Sequence, residues 1–160
     1  MKLDGTADFT FSAAEVWTSL HDIEVLTRTI PGCQSMLSEG DQRYRVAVSL
    51  GVAAIKGDYE GVIEVNDVEF PHHYTLRGEG EGKPGYVKVD VICKLEPTEA
   101  GCTLTWSSEA EVGGLIAGIG GRVLTGISKH MAKQFFKALT EDMNAVLNPE
   151  IADTAAEETT

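Results

Sequence analysis

The chain is short of positive charge: 13 Lys and Arg stand against 25 Asp and Glu, a formal net charge of −12 over 160 residues. A nucleic-acid partner calls for a basic footprint, so that class is set aside. The balance also argues against a purely electrostatic hold on anionic lipid. Cysteine is scarce as well. Cys33, Cys93 and Cys102 are odd in number, widely spaced and form no C-x-x-C pair. This argues against a disulfide framework and predicts reduced thiols. None has a histidine at metal-ligand spacing, which argues against a zinc site. No stretch reaches the roughly 18 apolar residues of a membrane-spanning helix; the nearest, Val112 to Ile127, is interrupted by Arg122. "MKLDGTADFTFSAAEVW" lacks the continuous apolar core of a signal peptide, which predicts a cytoplasmic chain that begins here. Catalytic signatures are lacking too: no nucleophile elbow, no HExxH, and no serine with an evident base partner.

What is present reads as one globular domain, with a hydrophobic fraction of 42%. The domain is placed at residues 1–148. Residues 149–160, small and acidic after Pro149, are expected to form a disordered tail. Residues 2–10 alternate as a first strand. Ser12 and Glu15 have capping-box spacing and predict a helix with Val16, Trp17 and Leu20 on its apolar face. Asp22 predicts the cap of a second short helix, stopped by Pro31-Gly32. Period-two alternation then runs through "YRVAVSLGV", "IKGDYEGVIEV", "YVKVDVICKL" and "CTLTWSSEA". Turn signals separate these runs. One apolar and one polar face is the mark of an antiparallel sheet covered on one side. Last, Ile116, Ile119, Val123, Ile127, Met131, Phe135, Leu139 and Met143 step by three or four. They predict one helix of about 30 residues with a continuous apolar stripe. The fold class expected is therefore α+β: a curved antiparallel sheet gripping a long C-terminal helix, with two short helices after the first strand.

Glycines crowd the start of that helix. Gly113, Gly114, Gly118, Gly120, Gly121 and Gly126 fall within sixteen residues. The spacing fits neither the dinucleotide loop nor the P-loop. Two readings stay open together. The glycines allow close packing beside a flexible entrance loop, or Gly113, Gly114, Gly118, Gly120 and Gly121 shape and gate an apolar cavity.

Titratable residues read as structural. His72-His73 follow Pro71 in an expected turn and face solvent. His21, beside Asp22 at a helix junction, reads as a surface or capping residue. His130 lies next to the apolar stripe as a packed or edge residue. Cys33 reads as a buried thiol. Asp58, Glu60 and Glu64 share a polar strand face with Lys56. No catalytic or metal-binding set emerges. Candidate cavity-lining residues are Val48, Tyr59, Leu76, Val89, Trp106, Ile119, Val123, Ile127, Met131 and Phe135. Tyr59 and Trp106 each pair a flat apolar body with one hydrogen-bond donor, a mix that can orient an apolar guest. A filled core explains the same residues equally well.

Several segments resemble one family. "VWTSLHDIEVLTRTIPGC" (Val16 to Cys33), "IKGDYEG" (Ile55 to Gly61), "GGLIAGIGGR" (Gly113 to Arg122) and "KQFFKAL" (Lys133 to Leu139) are similar to motifs of the carbon monoxide dehydrogenase G-subunit family. The similarity spans about residues 1–147. It implies a START-like (SRPBCC) fold and an accessory, noncatalytic role. It further implies a molybdenum-containing carbon monoxide dehydrogenase, or a similar hydroxylase, as partner. With it come a quinone or lipid-like cavity ligand and peripheral contact with the inner face of the cytoplasmic membrane. Family members that attach to membrane often carry an apolar C-terminal segment, where this sequence has its acidic stretch. Some START-like proteins are enzymes of the cyclase or dehydratase type, and that alternative would need a titratable group inside the cavity; His130 is the candidate.

Overall fold

A computed structural model describes residues 1–147. The expected tail, residues 149–160, lies outside the described residues, as does Asn148. Strand β1 (Lys2–Phe9) is followed by α1 (Ala13–Leu20) and α2 (Ile23–Thr29), then β2 (Cys33–Ser38) and β3 (Arg43–Leu50). A 3-10 turn (Ala53–Ile55) leads to β4 (Gly57–Glu69), β5 (His73–Gly82), β6 (Gly85–Pro97) and β7 (Cys102–Gly113). A second 3-10 turn (Leu115–Ile119) precedes α3 (Gly121–Leu147). The strands form one antiparallel sheet in the order β1-β7-β6-β5-β4-β3-β2. The two strands flanking α1 and α2 are thus its opposite edges. The two helices carry the chain from one edge to the other across the sheet's inner face, and α3 lies on the same side. This is the helix-grip arrangement that the periodicity predicts.

Local chemistry explains the helix ends. Glu15 N–H donates to the Ser12 hydroxyl, and Ser12 N–H donates to the Glu15 carboxylate, which closes the capping box. The Asp22 carboxylate accepts from the backbone of Glu24 and Val25 at the start of α2. Past Pro31, Gly32 takes a φ of +75°. A Cβ there would stand 2.3 Å from the Ser49 carbonyl oxygen, so the turn out of α2 needs glycine twice over.

The packed core is off-centre. It joins Phe9, Val16, Trp17, Leu20, Val25, Tyr74, Leu95 and Leu104 to Leu139 and Met143 of α3. Those last two are the only fully buried residues of that helix. Arg28 of α2 donates two hydrogen bonds to Asp142 (2.9 and 3.2 Å), clamping the same end. The N-terminal half of α3, from Leu124 to about Phe136, contributes no fully buried side chain. The helix is held down firmly at its C-terminal end and stands off the sheet at the other.

Three expectations need correction. Strands β2 and β5 go unmarked by any apolar alternation. The inward positions of β5 include Gly78, Gly80 and Gly82, so the strand shows period two with almost nothing apolar in it. The terminal helix starts at Gly121, so Ile116 and Ile119 belong to the preceding 3-10 turn. Val123 is 48% exposed. Successive α-helical residues turn by about 100°, so steps of four drift by about 40° each. Over the five steps from Met143 back to Val123 the stripe rotates by about 200°, to the opposite side. The inner face at that level belongs to Leu124 and Ser128 instead.

Candidate ligand-binding site

The stand-off leaves a hollow between the sheet and α3, in two compartments. The inner one, about 360 Å³, lies at the α1–α2 end. Leu20, His21, Leu26, Tyr44, Tyr74 and Phe135 are among its walls. The outer one, about 490 Å³, lies under the N-terminal half of α3 and is closed by Ile55 and Ile116 of the two 3-10 turns. Ile63, Val91, Trp106, Met131 and Ala132 border both and form the waist. Each volume falls within the range of small-molecule sites, about 300 to 1,000 Å³. Hydrocarbon dominates both walls. Such a space gives water few partners and favours an apolar guest.

Why the hollow exists is legible in the strand residues. Gly78 and Gly80 line the outer compartment where larger side chains would fill it, and Gly61 beside them answers to a close approach of two strands. At Gly61 a Cβ would stand 2.1 Å from the Glu79 carbonyl oxygen of the neighbouring strand, so this glycine cannot grow. Val48, Val87 and Val89 supply short branched walls beside them.

Of the residues singled out by sequence, Val48, Tyr59, Val89 and Ile127 line the outer compartment, Leu76 and Phe135 the inner, and Trp106 and Met131 both. Ile119 and Val123 line neither, because the helix begins later and the stripe rotates away. None of Gly113, Gly114, Gly118, Gly120 and Gly121 touches the hollow. Gly113 and Gly114 are packing residues. A Cβ at Gly113 would lie 2.0 Å from the Tyr86 ring, and one at Gly114 2.7 Å from Gly85 Cα. Gly118, Gly120 and Gly121 face open space.

The donor expected of Tyr59 is already committed: its hydroxyl donates to the Ile55 carbonyl oxygen at 2.6 Å and pins the first 3-10 turn. Trp106 lays its indole edge over Gly5, where a Cβ would meet ring atoms at 2.7 Å. Polar groups of the inner compartment come instead from residues the sequence reading passed over. Tyr74 and Cys93 both line it. Burial lifts Tyr74 well above its ordinary value and pushes Cys93 up to about 11, so both stay protonated and neutral.

His21 is the larger revision. It caps the C-terminus of α1, as expected of a capping residue, but it does not lie on the surface: it stacks on Trp17 (centroids 4.3 Å apart, planes at 16°) and meets Tyr74 edge-on at 4.5 Å. Its Nδ1 donates to the Trp17 carbonyl oxygen at 2.8 Å. The clue was the i, i+4 spacing of Trp17 and His21 on one helix face. Burial lowers the His21 pKa. A base depressed in the folded state contributes stability above its unfolded pKa of about 6.5, lost as pH falls toward the folded value. Thermal unfolding followed from pH 7.5 downward should show the midpoint falling below about pH 6.5, with a shallower fall in His21→Phe. An equal slope in both proteins would remove His21 as a cause.

The remaining titratable groups do not gather. His130 is exposed on the outer side of α3, so it offers nothing inside the hollow. His72 and His73 bond separate backbone carbonyls, of Leu95 and Asp67. Glu64 pairs with Arg43 on the outer sheet face. Cys33 is half-buried, and burial raises its pKa, the opposite of an activated thiol. Among the described residues no cluster of three metal-ligating side chains occurs, and no helix is long and apolar enough to cross a membrane.

Comparison with known proteins fits this geometry. Across residues 5–144 the chain matches the family model of the carbon monoxide dehydrogenase G subunit (CoxG). It is 37% identical to a conserved protein from Geobacillus kaustophilus, covering 89% of this chain and 95% of that one, with a TM-score of 0.87. A START superfamily protein from Mycobacterium smegmatis shares the fold at 14% identity, with TM-score 0.70 and coverage of 91% and 98%. Protein CV1439 from Chromobacterium violaceum shares it at 11% identity, TM-score 0.68, with coverage of 87% and 94%. Comparison with curated proteins finds no significant match. A START-like sheet gripping a partly lifted helix over an apolar hollow, together with the match over residues 5–144, places the chain in the CoxG family of carbon monoxide dehydrogenase proteins.

Proposed function

We propose that the protein is a noncatalytic carrier. It takes an apolar molecule, a quinone or a lipid-like compound, into the hollow under α3 and serves a carbon monoxide dehydrogenase or a related molybdenum hydroxylase. One observation carries the reading: the core is packed at the C-terminal end of α3 while two apolar compartments stay open under its N-terminal half. Sequestration there removes the guest's surface from water, at about 25 cal/mol per Å² of apolar area. Family membership supports the choice of partner.

Peripheral contact with the inner face of the cytoplasmic membrane belongs to the same proposal. Beside the outer compartment, Leu115 is 80% exposed, with Val52 and Val123 also exposed. No Asp or Glu occurs from Val112 to Thr140, in a chain that has 25 elsewhere. Arg122, Lys129, Lys133 and Lys137 are exposed along that stretch. An apolar tip with flanking cations suits an anionic bilayer surface.

The cyclase or dehydratase alternative is weaker. It asks for an acid–base pair in the cavity, and no carboxylate lines the inner compartment with His21. The test is native mass spectrometry of protein purified from its own host, followed by solvent extraction. The reading expects one apolar molecule per chain, and a rise in melting temperature when menadione is added back to the emptied protein. An empty protein that menadione does not stabilise would leave only a docking role.

A further inference from the structure

The two 3-10 turns that close the outer compartment are built alike. Each sends one isoleucine inward: Ile55 from the first and Ile116 from the second are buried, and both line the compartment. Each also carries an exposed apolar residue at its start, Val52 on the first and Leu115 on the second. The turns are seated on one side only. The hairpin turn at Pro84-Gly85 holds both of them. Ile116 N–H donates to the Pro84 carbonyl oxygen at 2.9 Å. A Cβ at Gly57 would come within 2.8 Å of Pro84, and one at Gly114 within 2.7 Å of Gly85. At the far ends of the two turns, Gly51 and Gly120 have nothing within 4 Å of a missing Cβ. Neither turn has the side-chain cap that starts α1 and α2. The first is held by the Tyr59 hydroxyl on the Ile55 carbonyl oxygen. What chiefly keeps the pair shut is that Ile55 and Ile116 would meet water if the turns swung out. Against hydrocarbon that cost is gone.

We propose that the paired 3-10 turns are the door of the hollow, shut in water and opened when Val52 and Leu115 enter an anionic bilayer. This rests on the carrier reading and the bilayer contact above. Exposed cations stand at the door: Lys56 directly follows the first turn, and Arg122 lies at the start of α3 just past the second. They suit anionic head groups around the apolar residues. With the turns swung into the bilayer, the guest passes between hollow and hydrocarbon without crossing water, and away from the bilayer the same turns retain it.

The test follows release of menadione from loaded Trp17→Phe protein by the recovery of Trp106 fluorescence. Release on simple dilution is compared with release to vesicles of phosphatidylcholine and phosphatidylglycerol. Opening on contact predicts a rate that climbs with vesicle concentration and exceeds the dilution rate by roughly tenfold or more, the worth of sparing one isoleucine from water. Adding Val52→Ser and Leu115→Ser together should leave the dilution rate as it is and abolish the acceleration, compared at vesicle concentrations where both proteins sediment equally. Tyr59→Phe, which frees the first turn, should speed release on dilution by about fivefold, the worth of one neutral hydrogen bond. A parent rate indifferent to vesicle concentration, an undiminished acceleration in the double variant, or a Tyr59→Phe rate equal to the parent's would overturn the door. In each of those cases menadione still binds and the carrier reading stands. Failure of menadione to bind at all removes the carrier reading and the door with it.

Discussion

Replacing Ala132 with Phe should cut affinity for menadione by about 60-fold or more while leaving the fold intact. Ala132 sits on the inner side of α3 at the waist and borders both compartments. A phenyl ring there grows into empty space between Ile63, Val91 and Trp106 rather than into packed core. Denying a guest about 100 Å² of apolar contact costs about 2.5 kcal/mol, or roughly 60-fold in binding. The protein itself gives up only about half a kcal/mol of helix propensity, which new contacts in the void offset. Fluorescence titration alongside a melting curve separates the two effects. Unchanged affinity in a well-folded Ala132→Phe protein would mean that the guest binds elsewhere. A melting temperature lowered by ten degrees would mean that the waist is already filled.

The second large effect is on stability. Gly61→Ala should lose about 3 kcal/mol, the upper end of over-packing costs, and lower the melting temperature by roughly 10 °C. A methyl group at that position would stand 2.1 Å from the Glu79 carbonyl oxygen and 2.9 Å from Gly80 Cα. Both obstacles are backbone, so β4 and β5 must part to admit it. Gly126→Ala is the contrast. That glycine lies inside α3 with nothing within 4 Å of its missing Cβ. Alanine there should gain about 1 kcal/mol of helix propensity. Denaturant titration of both variants checks the pair. A neutral Gly61→Ala would refute the close approach of the two strands, and a destabilised Gly126→Ala would mean that the start of α3 is packed against something.

Those two glycines show where sequence reading succeeds and where it stops. Alternation marks β3, β4, β6 and β7 because their inward positions carry valine, isoleucine, tyrosine or leucine. The same rule passes over β5, whose inward glycines exist to leave room. Caps at Ser12 and Asp22 are readable because capping is local chemistry. Rotation of the α3 stripe could have been calculated and would have removed Val123 in favour of Leu124. His21 was also within reach, four residues after Trp17. Its contact with Tyr74 was not, because Tyr74 is 53 positions away and joined to it only by the fold. Hollow against filled core was beyond sequence altogether. The same valines and aromatics line either, and the difference is how far a helix pinned by Leu139, Met143 and the Arg28–Asp142 pair lifts at its free end.

The glycine-rich stretch likewise divides on inspection. Gly113 and Gly114 serve the close approach of the β5–β6 hairpin and Tyr86. The later ones serve the turn into α3, where Gly120 holds a φ of +98°. Neither group cradles a phosphate, and neither lines the hollow.

Trp106 borders both compartments, which makes it a reporter on whether a guest occupies the space between sheet and helix. The direct measurement is tryptophan fluorescence of delipidated Trp17→Phe protein, in which Trp106 alone emits, titrated with menadione. An occupied hollow predicts quenching that saturates at one quinone per chain and is lost when Phe replaces Ala132. Quenching that rises linearly without saturation, as for free tryptophan in water, would contradict it.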